Sequence, residues 1–138
     1  MTHLSKATAA AGALLAAATL LLAGPAQAAP GGTHDGDYLY LAVTKGDSRS
    51  SDTRGTLLLC DPPQGHSRAA EACAALDAVG GDITRVAPVE GAMCPMVYAP
   101  VTAQARGQWN GRPIEYRETF PNSCQLLART GPVFALDG

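Results

Sequence analysis

Tyr38-Leu39-Tyr40-Leu41-Ala42-Val43-Thr44 is aromatic, aliphatic or β-branched at every position. A run of this length and composition reads as a β-strand, and because neither alternate set of side chains is polar, it is expected to be covered on both faces. Its surroundings set the class of fold. Lys45 to Gly55 is polar and holds Gly and Ser, a connecting loop, and Thr56 to Cys60 is a second short strand stopped by Asp61-Pro62-Pro63-Gln64-Gly65. Ser67 is placed to cap a helix from Arg68 to Val79, in which Ala69, Cys73 and Leu76 recur at spacings of three and four and Gly80-Gly81 ends the run. Further on, Val97 to Arg106 reads as extended. Asn110-Gly111 is a tight-turn pair, and Ile114, Tyr116 and Phe120 alternate with Glu115, Arg117 and Thr119, with Glu118 interrupting the apolar side. Asn122 is a cap for a short helix from Ser123 to Arg129, and Val133 to Leu136 is a last strand. Strands come in runs joined by tight turns, so the expected class is α+β, with five antiparallel strands and two short helices.

The chain begins with an address. Lys6 precedes an apolar Ala/Leu run from Ala7 to Ala23, then Gly24-Pro25 and the small-residue pattern Ala26-Gln27-Ala28. That order of charge, apolar run and cleavage motif is a secretory signal, with cleavage expected after Ala28. Residues 29–138 then form one domain, since removing 28 of 138 residues leaves 110, enough for a single modest core. The formal net charge is −2 and no basic cluster is present, which argues against nucleic acid and anionic membrane as partners.

Export governs how the cysteines read. Cys60, Cys73, Cys94 and Cys124 make an even count in a small secreted chain, which implies two disulfides, with three possible pairings. No close Cys pair of the kind zinc sites use is present, so neither a metal nor a cofactor is expected. An enzyme finds little support. His34 sits in a loose Gly-rich arm and His66 reads as a solvated loop residue beside Ser67; no G-x-S-x-G elbow or phosphate-binding glycine loop occurs.

The unusual stretch is Met93-Cys94-Pro95-Met96-Val97-Tyr98-Ala99-Pro100-Val101. Pro95 and Pro100 fix their own φ and push Cys94 and Ala99 toward extended conformations. In such a setting Met96 is either a core side chain beside a bridge or the presented side chain of a rigid, extended loop, the form that a serine protease cleft binds by strand addition.

This segment resembles the reactive-site region of the Streptomyces subtilisin inhibitor family. The similarity continues through Gly107-Gln108-Trp109-Asn110-Gly111-Arg112, Tyr116-Arg117-Glu118, Phe120-Pro121-Asn122-Ser123-Cys124 and Val133-Phe134. Upstream it includes Leu39 to Gly46, Leu57-Leu58-Leu59-Cys60 and Ala72-Cys73-Ala74-Ala75-Leu76. Ala128 to Pro132 and the tail Leu136-Asp137-Gly138 depart from the family pattern, away from the reactive segment. The resemblance implies the bridges Cys60–Cys73 and Cys94–Cys124 and a homodimer. It further implies a primary specificity residue at Met96, a scissile-type bond Met96–Val97, and support from Cys94, Pro95 and Tyr98. The partner it implies is a secreted subtilisin-like serine protease. The rival readings are a disulfide-stapled structural module and a transglutaminase substrate, for which Gln104, Gln108 and Lys45 are the candidate side chains.

Overall fold

A computed structural model describes residues 36–46 and 52–137. The expected export signal, residues 1–28, and His34 lie outside them. Five strands, β1 (Tyr38–Lys45), β2 (Thr53–Cys60), β3 (Pro63–Gln64), β4 (Val101–Trp109) and β5 (Arg112–Phe120), form one antiparallel sheet in the order β3-β2-β1-β4-β5. Two helices, α1 (Ala69–Asp77) and α2 (Ser123–Thr130), complete the fold.

The YLYLAVT run is the central strand, hydrogen-bonded to β2 on one side and β4 on the other. Its alternation sorts the sheet into two faces. Leu39 and Leu41 point inward with Leu58, Ala103 and Ala105, all fully buried, and meet Ala72, Cys73 and Leu76 of α1 and Leu126 of α2 in one core. The opposite face is not covered as the sequence suggested. Tyr40 and its cross-strand partner Leu57 are 53% and 36% exposed. Among the described residues there are only two short helices, and both pack on the inner side, so Tyr40 and Leu57 on the other face stay exposed in the single chain. Gly107 explains how β4 approaches the start of β1: a Cβ there would stand 2.1 Å from the Tyr38 carbonyl oxygen.

Cys60 follows Leu58 with the same inward parity and reaches Cys73 on the buried stripe of α1, giving the Cys60–Cys73 bridge. After α1, Gly81 adopts φ +82°, where a Cβ would meet the indole of Trp109, itself 1% exposed. At the far end of β4, Asn110 (φ 49°) and Gly111 (φ 72°) make the tight hairpin turn into β5. Glu118, which interrupts the apolar side of β5, has a partner there: the Tyr116 hydroxyl donates to it at 2.8 Å. Burial, followed by that hydrogen bond and the charge of Glu118, pushes the Tyr116 phenol above its usual range.

Three local expectations are corrected. The expected strand Val133–Leu136 is a turn that lays Val133 and Phe134 into the core; the fifth strand is instead Pro63–Gln64, which folds back on Leu59 and Cys60. The stretch that sequence reading took as a stop signal thus turns at Asp61-Pro62 and then pairs back on β2. Ser67 does not cap α1, and the helix is shorter than expected at both ends. His66 is not a solvated loop residue. It is 9% exposed; its Nδ1 accepts from the Arg68 amide at 2.9 Å, and its Nε2–H donates to the Val133 carbonyl at 3.1 Å. With one ring nitrogen accepting and the other donating, the imidazole ties the start of α1 to the C-terminal turn.

Candidate functional site

Between the 3-10 turn Ile83–Arg85 and β4 the chain has no regular structure, and this connection carries the Met93–Val101 segment. Its side chains are the most exposed large apolar groups of the described residues: Met96 at 104%, Met93 at 92%, Tyr98 at 81% and Val97 at 55%. Of the two positions open to Met96 in the sequence, core filler or presented side chain, the structure adopts the second. Val97 and Tyr98 share its exposure, Pro95 is exposed, and Cys94 is half-buried at the root of the segment.

An exposed loop of apolar residues would ordinarily move freely. This one is pinned by the segment Phe120-Pro121-Asn122-Ser123-Cys124, which leads from β5 into α2, and by further ties to Ala128 of α2 and to Gly46 after β1. On the upstream side the Val89 amide donates to the Ala128 carbonyl at 2.8 Å, and Cys94 is bridged to Cys124. Downstream the Ala99 amide donates to the Pro121 carbonyl at 2.9 Å, and the Pro100 carbonyl accepts from the Gly46 amide at 2.7 Å. At the base of β4 the hydroxyls of Thr102 and Thr119 meet at 2.9 Å, joining the two strands from which loop and support emerge.

The middle of the loop is held by one side chain. Asn122, 7% exposed, donates from Nδ2 to the Pro95 carbonyl at 3.2 Å and to the Val97 carbonyl at 2.8 Å. These carbonyls flank Met96 on either side, so the amide spans the Met96–Val97 peptide bond from beneath. Its Oδ1 accepts from the Gln125 amide at 2.9 Å and caps α2. Sequence reading recognised the cap and missed the loop contacts. Asn suits both tasks because it carries two donors and an acceptor on one planar group. Aspartate could cap the helix but would face two carbonyl oxygens without a proton to donate.

The arrangement has little to offer chemistry of its own. The His66 ring nitrogens are both engaged by backbone groups. Among the described residues no group of three His, Cys, Asp or Glu side chains could hold a metal ion, and no helix is long and apolar enough to cross a membrane. What the site provides is display: an exposed segment in which Met96 is fully accessible and the carbonyls of Pro95 and Val97 are fixed by Asn122.

Residues 35–122 match the family described as subtilisin inhibitor-like. The chain is 58% identical over 125 residues, 91% of its own length and 84% of the relative's, to a Streptomyces avermitilis protein provisionally named a serine protease inhibitor. It is 42% identical over 122 residues, 83% of this chain and 85% of the other, to the subtilisin inhibitor of Streptomyces albogriseolus. Among solved structures, Streptomyces caespitosus sermetstatin in complex with Bacillus licheniformis subtilisin matches with a TM-score of 0.59 and 36% identity, covering 71% of this chain and 96% of that one.

Replacing Asn122 separates its two tasks. Asn122→Ala is expected to lower unfolding free energy by about 1–3 kcal/mol, through the lost cap and the unpaired carbonyls. Asn122→Asp keeps the acceptor for Gln125 and should recover part of that loss, while its loop amides exchange with deuterium faster than those of the parent. Urea unfolding and hydrogen exchange check this; loop exchange unchanged in both variants would show that Asn122 does not hold the loop.

Proposed function

This chain belongs to the subtilisin inhibitor-like family, and from that premise we propose that it inhibits subtilisin-like serine proteases through a substrate-like loop centred on the Met96–Val97 bond. The observation that carries the proposal is the full exposure of Met96 on a backbone fixed on both sides of that bond by one buried amide.

The mechanism follows from the geometry. A protease cleft binds an extended segment by adding it as a strand, and here the segment is already held by Asn122 and the Cys94–Cys124 bridge, so little conformational entropy is lost on docking. Met96, unbranched and apolar, fills the primary pocket. Cys94 and Pro95 line the cleft before it, and Val97 and Tyr98 follow. If the protease attacks the Met96 carbonyl and the peptide bond opens, neither new end is free to leave. Upstream, Cys94 remains bridged to Cys124; downstream, the chain runs into β4 at the centre of the fold; Asn122 holds Pro95 and Val97 on opposite sides of the cut. The leaving amine stays beside the acyl group, where religation competes with hydrolysis, so tight binding expresses slow dissociation. The chain acts as ligand to an enzyme and is not itself one.

The same proposal includes export and self-association. Residues 1–28 serve as the secretory signal and 29–138 as the secreted inhibitor domain. The sheet face carrying Tyr40 and Leu57 packs against a second copy of the chain in a symmetric homodimer, which removes from water the apolar groups that α1 and α2 do not reach.

Two measurements address these points. Met96→Lys should fold with unchanged stability, because the side chain touches no core residue, and should gain inhibition of trypsin, whose pocket carboxylate pairs with the ammonium. Met96→Gly should weaken subtilisin inhibition by about 2 kcal/mol or more. A Met96→Lys protein that folds and is simply digested by trypsin at position 96 would contradict the inhibitor mechanism. Mass and light-scattering measurements on protein recovered from the culture medium of the producing bacterium should give a dimer of chains beginning at Ala29; a monomer, or a chain retaining residues 1–28, would contradict the corresponding part.

A further inference from the structure

The sulfur atoms of this protein are distributed in an unusual way. All four cysteines are bridged. Of the three methionines, Met1 lies in the expected signal, and the other two flank Cys94 in the loop. Met96 and Met93 are 104% and 92% exposed, whereas the single tryptophan, Trp109, is 1% exposed beneath Gly81. After removal of the signal, every readily oxidised and accessible side chain therefore lies in one short loop, with no thiol elsewhere to react first.

We propose that Met96 is an oxidation switch: a peroxide-class oxidant converts its thioether to the sulfoxide and disarms the loop while leaving the fold intact. It rests on the inhibitor reading above, in which Met96 is the group that enters the protease pocket. The thioether sulfur attacks one peroxide oxygen, the O–O bond breaks, and the second oxygen leaves as water. The sulfur loses two electrons and the peroxide gains them. The product carries a strong S–O dipole on a side chain whose free form is solvated and whose bound form is enclosed. Free in water the sulfoxide is hydrated at no penalty. In an apolar pocket its oxygen loses that hydration without a matching donor, which weakens binding by about 10- to 100-fold. Neither methionine belongs to the buried core, so the cost falls on binding and not on folding. Met93 oxidises alongside Met96 and does not by itself decide the outcome. Methionine sulfoxide reductase, acting on an exposed loop with a dithiol that supplies two electrons and is oxidised to a disulfide, reverses the change and releases the oxygen as water. A bound protease covers Met96 and protects it, so the switch acts on free inhibitor.

The test exposes the mature protein, and its Met93→Leu and Met96→Leu variants, to graded hydrogen peroxide. Peptide mapping by mass spectrometry measures sulfoxide at each position, and the same samples are assayed for subtilisin inhibition and thermal midpoint. Parent and Met93→Leu proteins should lose inhibition by about 10- to 100-fold in proportion to sulfoxide at Met96, at unchanged midpoint, and regain it with the reductase. Met96→Leu, compared only with itself before and after treatment, should not change. The switch is overturned if fully oxidised Met96 inhibits as well as untreated protein, if Met96→Leu loses inhibition as the parent does, or if Met96 resists peroxide that oxidises free methionine. An untreated protein that fails to inhibit subtilisin overturns the inhibitor reading itself, and the switch with it.

Discussion

The loop depends on one buried amide. Asn122 has its acceptor on the first turn of α2 and its donors on the carbonyls of Pro95 and Val97, so the helix cap and the loop backbone share a single rigid plane. A helix terminus needs its free amides satisfied, and an irregular loop needs its carbonyls satisfied; one side chain meets both requirements. The Cys94–Cys124 bridge then locks the next residues of the same two segments. Without these ties the exposed Met96, Val97 and Tyr98 would sit on a flexible connection, which a protease would cut and release.

The rest of the fold can be read as the platform for that junction. β4 and β5 are neighbours joined by a tight turn, which brings the residues after β5 back beside those before β4. Val101 pairs with Phe120 at the open end of this hairpin, so Pro100 and Pro121 leave the sheet side by side and the loop and its support begin in register. The core beneath, with Leu126 of α2 against the inner strands, fixes where the helix starts and hence where Asn122 stands. Display and stability are thereby separated in space: the exposed side chains Met96, Val97 and Tyr98, proposed to meet a protease, contribute nothing to the core, and those that build the core are buried.

Local patterns were legible in the sequence and distant closures were not. The central strand, the Asn110-Gly111 turn and the Asn122 cap are set by short-range chemistry, and each lies where it was expected. The partner for the edge of β2 was not: Pro63–Gln64 looks like punctuation, and only tertiary placement makes it a strand, while Val133 and Phe134 have strand-like composition but serve as core side chains on a turn. Burial of His66 depends on Val133, 67 residues away, and the second role of Asn122 depends on carbonyls 27 and 25 residues upstream. Nothing local encodes such contacts. Composition alone likewise could not separate a core methionine from a displayed one at position 96; the resemblance of the surrounding segment did, and the exposure of the side chain agrees.

The most direct measurement of the central claim follows the Met96–Val97 bond itself. Inhibitor incubated for long periods with catalytic amounts of subtilisin is analysed by intact mass, starting once from uncut protein and once from protein cleaved at that bond. The expected result is a slow approach, from both sides, to the same mixture of intact and singly cut chains, with no other cleavage. Complete digestion, cleavage elsewhere in the loop, or failure of the cut form to return toward intact chain would contradict a loop held in place on both sides of the bond.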